Sequence, residues 1–269
     1  MTRVVGISLV KNEDLFVEQA LRNVLGFCDE LILADNGSRD GTRVILERLA
    51  AEQPEKVRVH EVAHPSESHD LISGYAGEDV WVLGVDGDEL YDPARLREFR
   101  HTLLAGDLDE WWLVRGNALH CDELAQDRTT AAGWLSPPAP SMTKLHNFRL
   151  IESWDGLHPE RLHGTAGLRF KESASNRKYE LMREYSWDES PFRCLHLCFL
   201  ARSSRERKAQ ARRNIPDMNA PRRLPLRVWA RLRELVGAPG QSPWKLEHYR
   251  QGERRRVSAA EFFPPPASR

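Results

Sequence analysis

Residues 80–89 read VWVLGVDGDE. The apolar run Val80–Val85 has the length and the β-branched, aromatic content of a buried strand. It breaks at once into three carboxylates, Asp86, Asp88 and Glu89. Such a strand delivers negative charge to the carboxyl edge of a sheet, where open α/β sheets bind their ligands. Acids crowded there repel one another unless a cation lies among them. Oxygen-only ligands favour Mg²⁺ or Mn²⁺ over zinc. The same residues also suit a plain acidic turn, in which Gly87 bends the chain and Asp bonds its own backbone.

On the N-terminal side, strand and helix patterns alternate. Val4–Val10 reads as a buried strand, and apolar residues then recur at helical spacing from Leu15 to Leu25. Glu30–Ala34 reads as a strand, Gly41–Ala51 as a helix, Val57–Val62 as a strand and His69–Tyr75 as a short helix. After the opening stretch, Pro93–Leu104 reads as a helix with Pro near its first turn. The alternation predicts an α/β fold, Rossmann-like, with a mostly parallel sheet and flanking helices.

From Trp111 the texture changes. Trp111–Val114, Leu145–Glu152, Leu168–Lys171 and Cys194–Leu200 read as strands, Ala131–Ser141 as a loop and Arg202–Arg213 as a basic helix. Past Pro216 prolines are frequent, and Leu224–Val236 is basic and amphipathic. The expected organisation is a ligand-binding α/β half over 1–110, a mixed half of the same domain over 111–215, and a basic, Pro-rich extension over 216–269.

The chain has 269 residues, 41% hydrophobic and 29% charged, as in soluble globular proteins. No apolar run approaches the roughly 20 residues that cross a bilayer. The N-terminal apolar stretch is too short for a signal peptide, so a cytoplasmic location is expected. Four cysteines (Cys28, Cys121, Cys194 and Cys198) do not make a disulfide framework in a chain this long. Cys194, His196 and Cys198 alternate, so on a strand they share a face but spread too far to hold one zinc easily. Residues 1–100 carry 11 basic and 20 acidic groups; residues 201–269 carry 17 and 6. The basic tail therefore suits an anionic partner: a phosphate, a membrane surface met peripherally, or the acidic half itself. No nucleic-acid partner is expected.

Two further segments would line the same sheet edge. Asp35–Thr42, DNGSRDGT, follows a strand and precedes a helix. Gly37 permits a tight turn, Ser38 or Asp40 can cap the helix, and the Asp35 carboxylate can accept from a ribose or base edge. A well-capped βα turn explains the same residues. Val10–Asp14, VKNED, follows the first strand, and its Asn12 suits either a cap or a nucleotide contact.

The order strand–KNE, DELILADNGSRDGT, strand–DGDE resembles the nucleotide-sugar-dependent glycosyltransferases of family 2, which have the GT-A fold. The middle segment is similar to that family's D(D/T/N)GSTDGT element, and DGDE to its Asp-x-Asp motif. The resemblance is strong over residues 4–100 and weaker over 101–215. It implies that Val10, Asn12, Glu13, Asp35, Gly37 and Asp86 bind the nucleotide. It implies also that Asp86 and Asp88 hold Mn²⁺ or Mg²⁺ against the diphosphate, whose charge develops as it leaves. A later His close to the metal or diphosphate matches His196, which as a bare residue equally suits a hydrogen-bonded core histidine. Arg205, Lys208 and Arg212 share a helical face toward the diphosphate or toward solvent.

SWDGLHPERLHG, 153–164, resembles the acceptor-side segment of relatives, although Pro159 interrupts the usual His-Glu pair. An inverting transfer needs a general base on the acceptor hydroxyl. Asp155, His158 and Glu160 are the candidates, with Glu89 a further one. Trp111, Trp112, Trp134, Trp154 and Trp187 supply indole faces for a sugar platform or for core packing. The expected partners are a nucleoside diphosphate sugar and an acceptor: a glycan, a lipid-linked sugar, a peptide or a small metabolite. A nucleotidyltransferase that makes nucleotide sugars would carry a Gly-rich, Arg/Lys-bearing loop where VKNED stands. A binding module without turnover is the non-enzymatic alternative.

Overall fold

A computed structural model describes residues 2–154, 162, 167–206 and 247–264. Its N-terminal half runs β1 (Arg3–Val10), α1 (Val17–Val24), β2 (Glu30–Asp35), α2 (Thr42–Glu52), β3 (Val57–Glu61), α3 (Glu67–Ser73), β4 (Val80–Val85), β5 (Glu89–Tyr91) and α4 (Pro93–Ala105). There follow β6 (Leu113–Arg115), β7 (Asn117–Leu124), β8 (Thr130–Leu135), β9 (Lys144–Asn147), β10 (Ile151–Trp154), β11 (Leu168–Phe170), β12 (Lys178–Glu180), α5 (Leu181–Glu184), β13 (Arg193–His196) and β14 (Arg254–Ser258).

The main sheet has seven strands in the order β12-β6-β9-β4-β1-β2-β3. β1 pairs in parallel with β2 and β4, and β2 with β3, as the strand–helix alternation predicts. Successive residues of a strand face opposite ways, so an alternating pair feeds two cores. Val4, Leu31, Leu33, Trp81 and Leu83 meet Leu21 and Val24 of α1, Leu46 and Leu49 of α2 and Phe99 of α4. Val5, Ile7, Ile32, Val80 and Val82 meet Ile72 of α3 together with Trp112, Phe148 and Trp154. The near-continuous apolar runs of β1, β2 and β4 thus reflect burial on both faces.

A second, five-stranded sheet, β14-β8-β7-β13-β5, abuts this layer. β5 joins it directly after the carboxylate cluster, pairing antiparallel with β13. The acidic turn therefore bridges the two sheets.

Several local readings change. Leu145–Glu152 is not one strand: a 3-10 turn over Phe148–Leu150 divides β9 from β10, and the Asn147 side chain accepts from the Arg149 N–H at its start. Ala131–Leu135 is strand, not loop; its small residues Ala131, Ala132 and Gly133 conceal it. The strand at Cys194 ends at His196, and Leu200 N–H bonds back to the Leu197 carbonyl in a turn. Cys198 is thus off the strand, and the expected shared face with Cys194 does not form. Residues 202–206 are a bend and turn rather than the start of a basic helix, with the Arg202 N–H donating to Glu206. Residues 247–264, read as part of an appended extension, supply β14 to the five-stranded sheet. Lys208, Arg212 and Leu224–Val236 lie outside the described residues. No helix among the described residues is long and apolar enough to cross a membrane.

Candidate active site at the carboxyl edge of the sheet

The parallel strands β1, β2 and β4 end side by side, and each ends in a polar turn. Asn36 N–H donates to the Val10 carbonyl at 2.9 Å, which ties the first two turns together. Asn12 takes a left-handed backbone, φ 55°, a conformation that Asn tolerates. Its N–H donates to Ser38 Oγ at 3.0 Å, and its side-chain oxygen accepts from the Arg39 N–H at 2.7 Å. The Glu13 N–H donates to Thr42 Oγ1 at 2.8 Å. Asn12 therefore ties the β1 turn to the β2 turn and caps no helix; Asp40, not Ser38, serves the first turn of α2, accepting from the Thr42 N–H. Asp35 is buried; its Oδ1 accepts from the Ser38 N–H at 3.1 Å, and Arg43 approaches its Oδ2 to 3.8 Å. Gly37, at φ +70°, makes that turn, and a Cβ there would meet nothing within 4 Å.

Asp86, Asp88 and Glu89 are all buried, as is Glu13. Asp86 pairs with Lys144 Nζ at 3.0 Å. The antiparallel register of β9 on β4 sets Lys144 opposite Gly84 and so within reach of the turn. Asp88 Oδ2 and Glu13 Oε1 both accept from Arg202 Nη1, at 3.1 and 3.2 Å. Burial pulls the pKa of Arg202 down, but the negative groups around it, Asp88 first, then Glu13 and Glu206, more than offset it, and the net shift is upward. The acids were expected to need a metal between them; two protein cations, Lys144 and Arg202, already stand there. Sequence reasoning missed both, since neither lies near the motif in the chain.

His196 comes to the same place. β13 pairs antiparallel with β5, which sets His196 opposite Glu89, and His196 Nε2 lies 3.9 Å from Asp88 Oδ2. Asp88 Oδ1 is buried and has no hydrogen-bond partner among the described residues. Glu89 accepts from the Tyr91 hydroxyl at 3.0 Å and from the Asp86 N–H at 3.3 Å. Burial pushes its carboxyl up to about 8, with Asp88 and Glu13 adding to the shift and Lys144 opposing it. Burial thus favours the neutral form of this enclosed acid.

Val10, Asn12, Glu13, Asp35, Gly37, Asp86, Asp88 and His196 therefore converge on one edge. Asp155, His158 and Glu160 lie outside the described residues. Trp112, Trp154 and Trp187 are core residues, at 2%, 5% and 3% exposure. Trp111 and Trp134 are half-buried beneath arginines, Arg177 over the first and Arg250 and Arg254 over the second. Arg205 is exposed.

No curated protein matches the chain. Distant solved structures include TarS of S. aureus, 19% identical over 55% of this chain and 29% of that one, TM-score 0.36. They also include glucosyl-3-phosphoglycerate synthase of Mycobacterium tuberculosis in complex with phosphoglyceric acid, 16% identical over 55% of this chain and 58% of that one, TM-score 0.36. The same synthase with Mn²⁺, UDP and glucosyl-3-phosphoglycerate is 18% identical over 45% of each chain, TM-score 0.32. The chain thus spans between 29% and 58% of the length of these structures. A sequence profile, glycosyl transferase family 2, matches residues 7–173, well over half of the chain and the whole carboxylate edge of the parallel strands. On that match, with the strand order and motifs above, the chain belongs to glycosyl transferase family 2.

Proposed function

We propose that this enzyme moves a glycosyl group from a nucleoside diphosphate sugar to an acceptor hydroxyl, with inversion, using Mn²⁺ or Mg²⁺ held by Asp86, Asp88 and His196. One observation carries the reading: Asp88 keeps a buried oxygen with no hydrogen-bond partner among the described residues, while His196 Nε2 stands 3.9 Å from its other oxygen. Two carboxylates and one imidazole are suitable donors for a Mn²⁺-sized ion. The charge balance allows it too. Glu13, Asp86 and Asp88 outnumber Lys144 and Arg202, even with burial favouring the neutral form of Glu89. When bound, the ion would neutralise charge on the leaving diphosphate.

The chain's own groups supply the rest. Asp35, at the end of β2, would accept from the ribose or base, and the crossed Asn12–Ser38 turns would fix the depth of that pocket. Lys144 and Arg202 would hold Asp86 and Asp88 in place before the donor arrives, so little reorganisation accompanies charge development. Asp155, His158 and Glu160 are the candidates to take the acceptor proton, and glycan, lipid-linked, peptide and small-metabolite acceptors all fit the reaction.

A thermal-shift panel of UDP-, GDP-, CDP- and dTDP-sugars with and without Mn²⁺ tests this. One nucleotide class should raise the Tm only with metal, and Asp88→Ala should remove the shift. Equal donor binding in excess EDTA would hand the diphosphate to Lys144 and Arg202 instead; no shift with any donor would overturn the reading.

A further inference from the structure

β7, β13 and β5 lie side by side with His120, His196 and Glu89 in one register row. Within that row the two imidazoles touch: His120 Nδ1 lies 2.9 Å from His196 Nδ1. One of those nitrogens must carry the shared proton. The other end of His120 decides which. His120 Nε2 lies 3.0 Å from the Pro140 carbonyl oxygen, which can only accept. Nε2 of His120 therefore bears a proton, and in a neutral ring Nδ1 is then an acceptor. His196 must donate from Nδ1, which leaves its Nε2 as the nitrogen with the lone pair, on the side of Asp88.

Packing holds the relay in line. The Tyr249 ring stacks on His120 at 4.3 Å and 9° and sets its edge against His196 at 5.4 Å and 72°. Tyr249 is 1% exposed, and its hydroxyl reaches Met142 Sδ at 2.9 Å. The Cys198 thiol lies beside the pair, with one ligand atom from each of the three residues within 4.8 Å.

We infer that His120 is a positioning residue: by accepting the Nδ1 proton of His196 it presents the Nε2 lone pair of His196 to the metal shared with Asp88. The inference rests on the metal reading above. Partners of this kind, behind a ligating His, fix its tautomer and orientation, and losing one weakens metal binding about 10–100-fold.

Two substitutions separate this from a packing role. His120→Phe keeps a ring against Tyr249 and removes both nitrogens. His120→Asn loses the ring but keeps an acceptor where Nδ1 stood. Calorimetric titration with Mn²⁺ should show affinity about 10–100-fold weaker in H120F and within about threefold of the parent in H120N. A packing role predicts the reverse order, which would overturn the inference. Independently, ¹⁵N-detected imidazole spectra of the metal-free parent should show His196 protonated on Nδ1 and bare on Nε2. The opposite tautomer would overturn it whatever the variants do. Parent protein without Mn²⁺ affinity would overturn the metal reading and this inference together; H120F binding as tightly as the parent would overturn this inference alone. A thiolate-to-Co²⁺ charge-transfer band that vanishes in Cys198→Ser would also overturn it, since the three residues would then form a metal site of their own.

Discussion

At the scale of single residues, the site is defined by how its charges are balanced. Arg202 is 2% exposed and lies between two carboxylates, Asp88 and Glu13, 0% and 3% exposed. Breaking a buried pair by removing one partner costs about 3–5 kcal/mol, because the other charge is left uncompensated. Arg202→Ala should therefore lower unfolding free energy by about 3–5 kcal/mol in metal-free buffer. If Asp88 also faces a divalent ion, Mn²⁺ should recover a larger share of stability in this variant than in the parent. Urea unfolding with and without Mn²⁺ reads both numbers, and equal metal effects in parent and variant would separate Arg202 from the cation site. The carboxylates were legible in the sequence because strand and acids are contiguous over residues 80–89. Their partners were not: Lys144 is 58 residues from Asp86 and is brought there by the register of β9 on β4, while Arg202 is 114 residues from Asp88 and reaches it from the turn beyond β13.

At the scale of elements, the βαβ half was readable because each strand is a short apolar run and each helix carries its own boundary signals. α4 shows why. Asp92 caps it, Oδ1 accepting from the Ala94 and Arg95 N–H groups, Pro93 opens it, and Gly106 at φ +85° closes it. Asp92 also does something no local pattern announces. Its Oδ2 binds Arg193 of β13 at 2.8 and 3.2 Å, in a pair 7% and 3% exposed. One residue thus fixes both the start of α4 and the strand that carries His196. Asp92→Ala loses the cap, worth about 1 kcal/mol, and leaves Arg193 buried on the Trp187 carbonyl at 3.2 Å, with Glu261 at 3.8 Å as its remaining acidic partner among the described residues. The expected total is about 4–6 kcal/mol. Asp92→Asn keeps a capping oxygen and should cost less by at least about 1 kcal/mol. Chemical denaturation of the two variants checks the order; equal losses would mean that the cap contributes nothing. The second sheet was harder to read for the opposite reason. β8 is built from Ala131, Ala132 and Gly133, chosen for close approach to β7 rather than for strand propensity, and a Cβ on Gly133 would enter the His120 carbonyl.

At the scale of the whole molecule, the family match ends at residue 173, yet His196, Arg202 and the last strand all lie beyond it. The two sheets are joined at the acidic turn, so the later segments stabilise the candidate site as well as the fold. Residues 247–264 do this most directly. β14 pairs with β8 across five registered positions, from Arg254 opposite Trp134 to Ser258 opposite Thr130. Phe262 is fully buried and stacks with Trp187, and its carbonyl accepts from Asn23 of α1, whose side chain also donates to the Tyr91 carbonyl beside the acidic turn. Tyr249 closes over the two histidines. A proline-rich, basic composition concealed this, because the residues that anchor the segment are few and widely spaced. Loss of one buried aromatic side chain costs about 3–5 kcal/mol, and ending the chain at residue 246 removes two, along with a strand that covers the edge of β8. That truncation should exceed the net stability of an ordinary domain, about 5–15 kcal/mol, or come close to it. The expected outcome is a chain that is recovered mainly insoluble, with any soluble fraction melting well below the parent and binding Mn²⁺ weakly. Soluble yield, a circular-dichroism melt and a Mn²⁺ titration on the truncated chain decide it. A truncated protein that melts and binds metal like the parent would make residues 247–264 a covering that the site does not need.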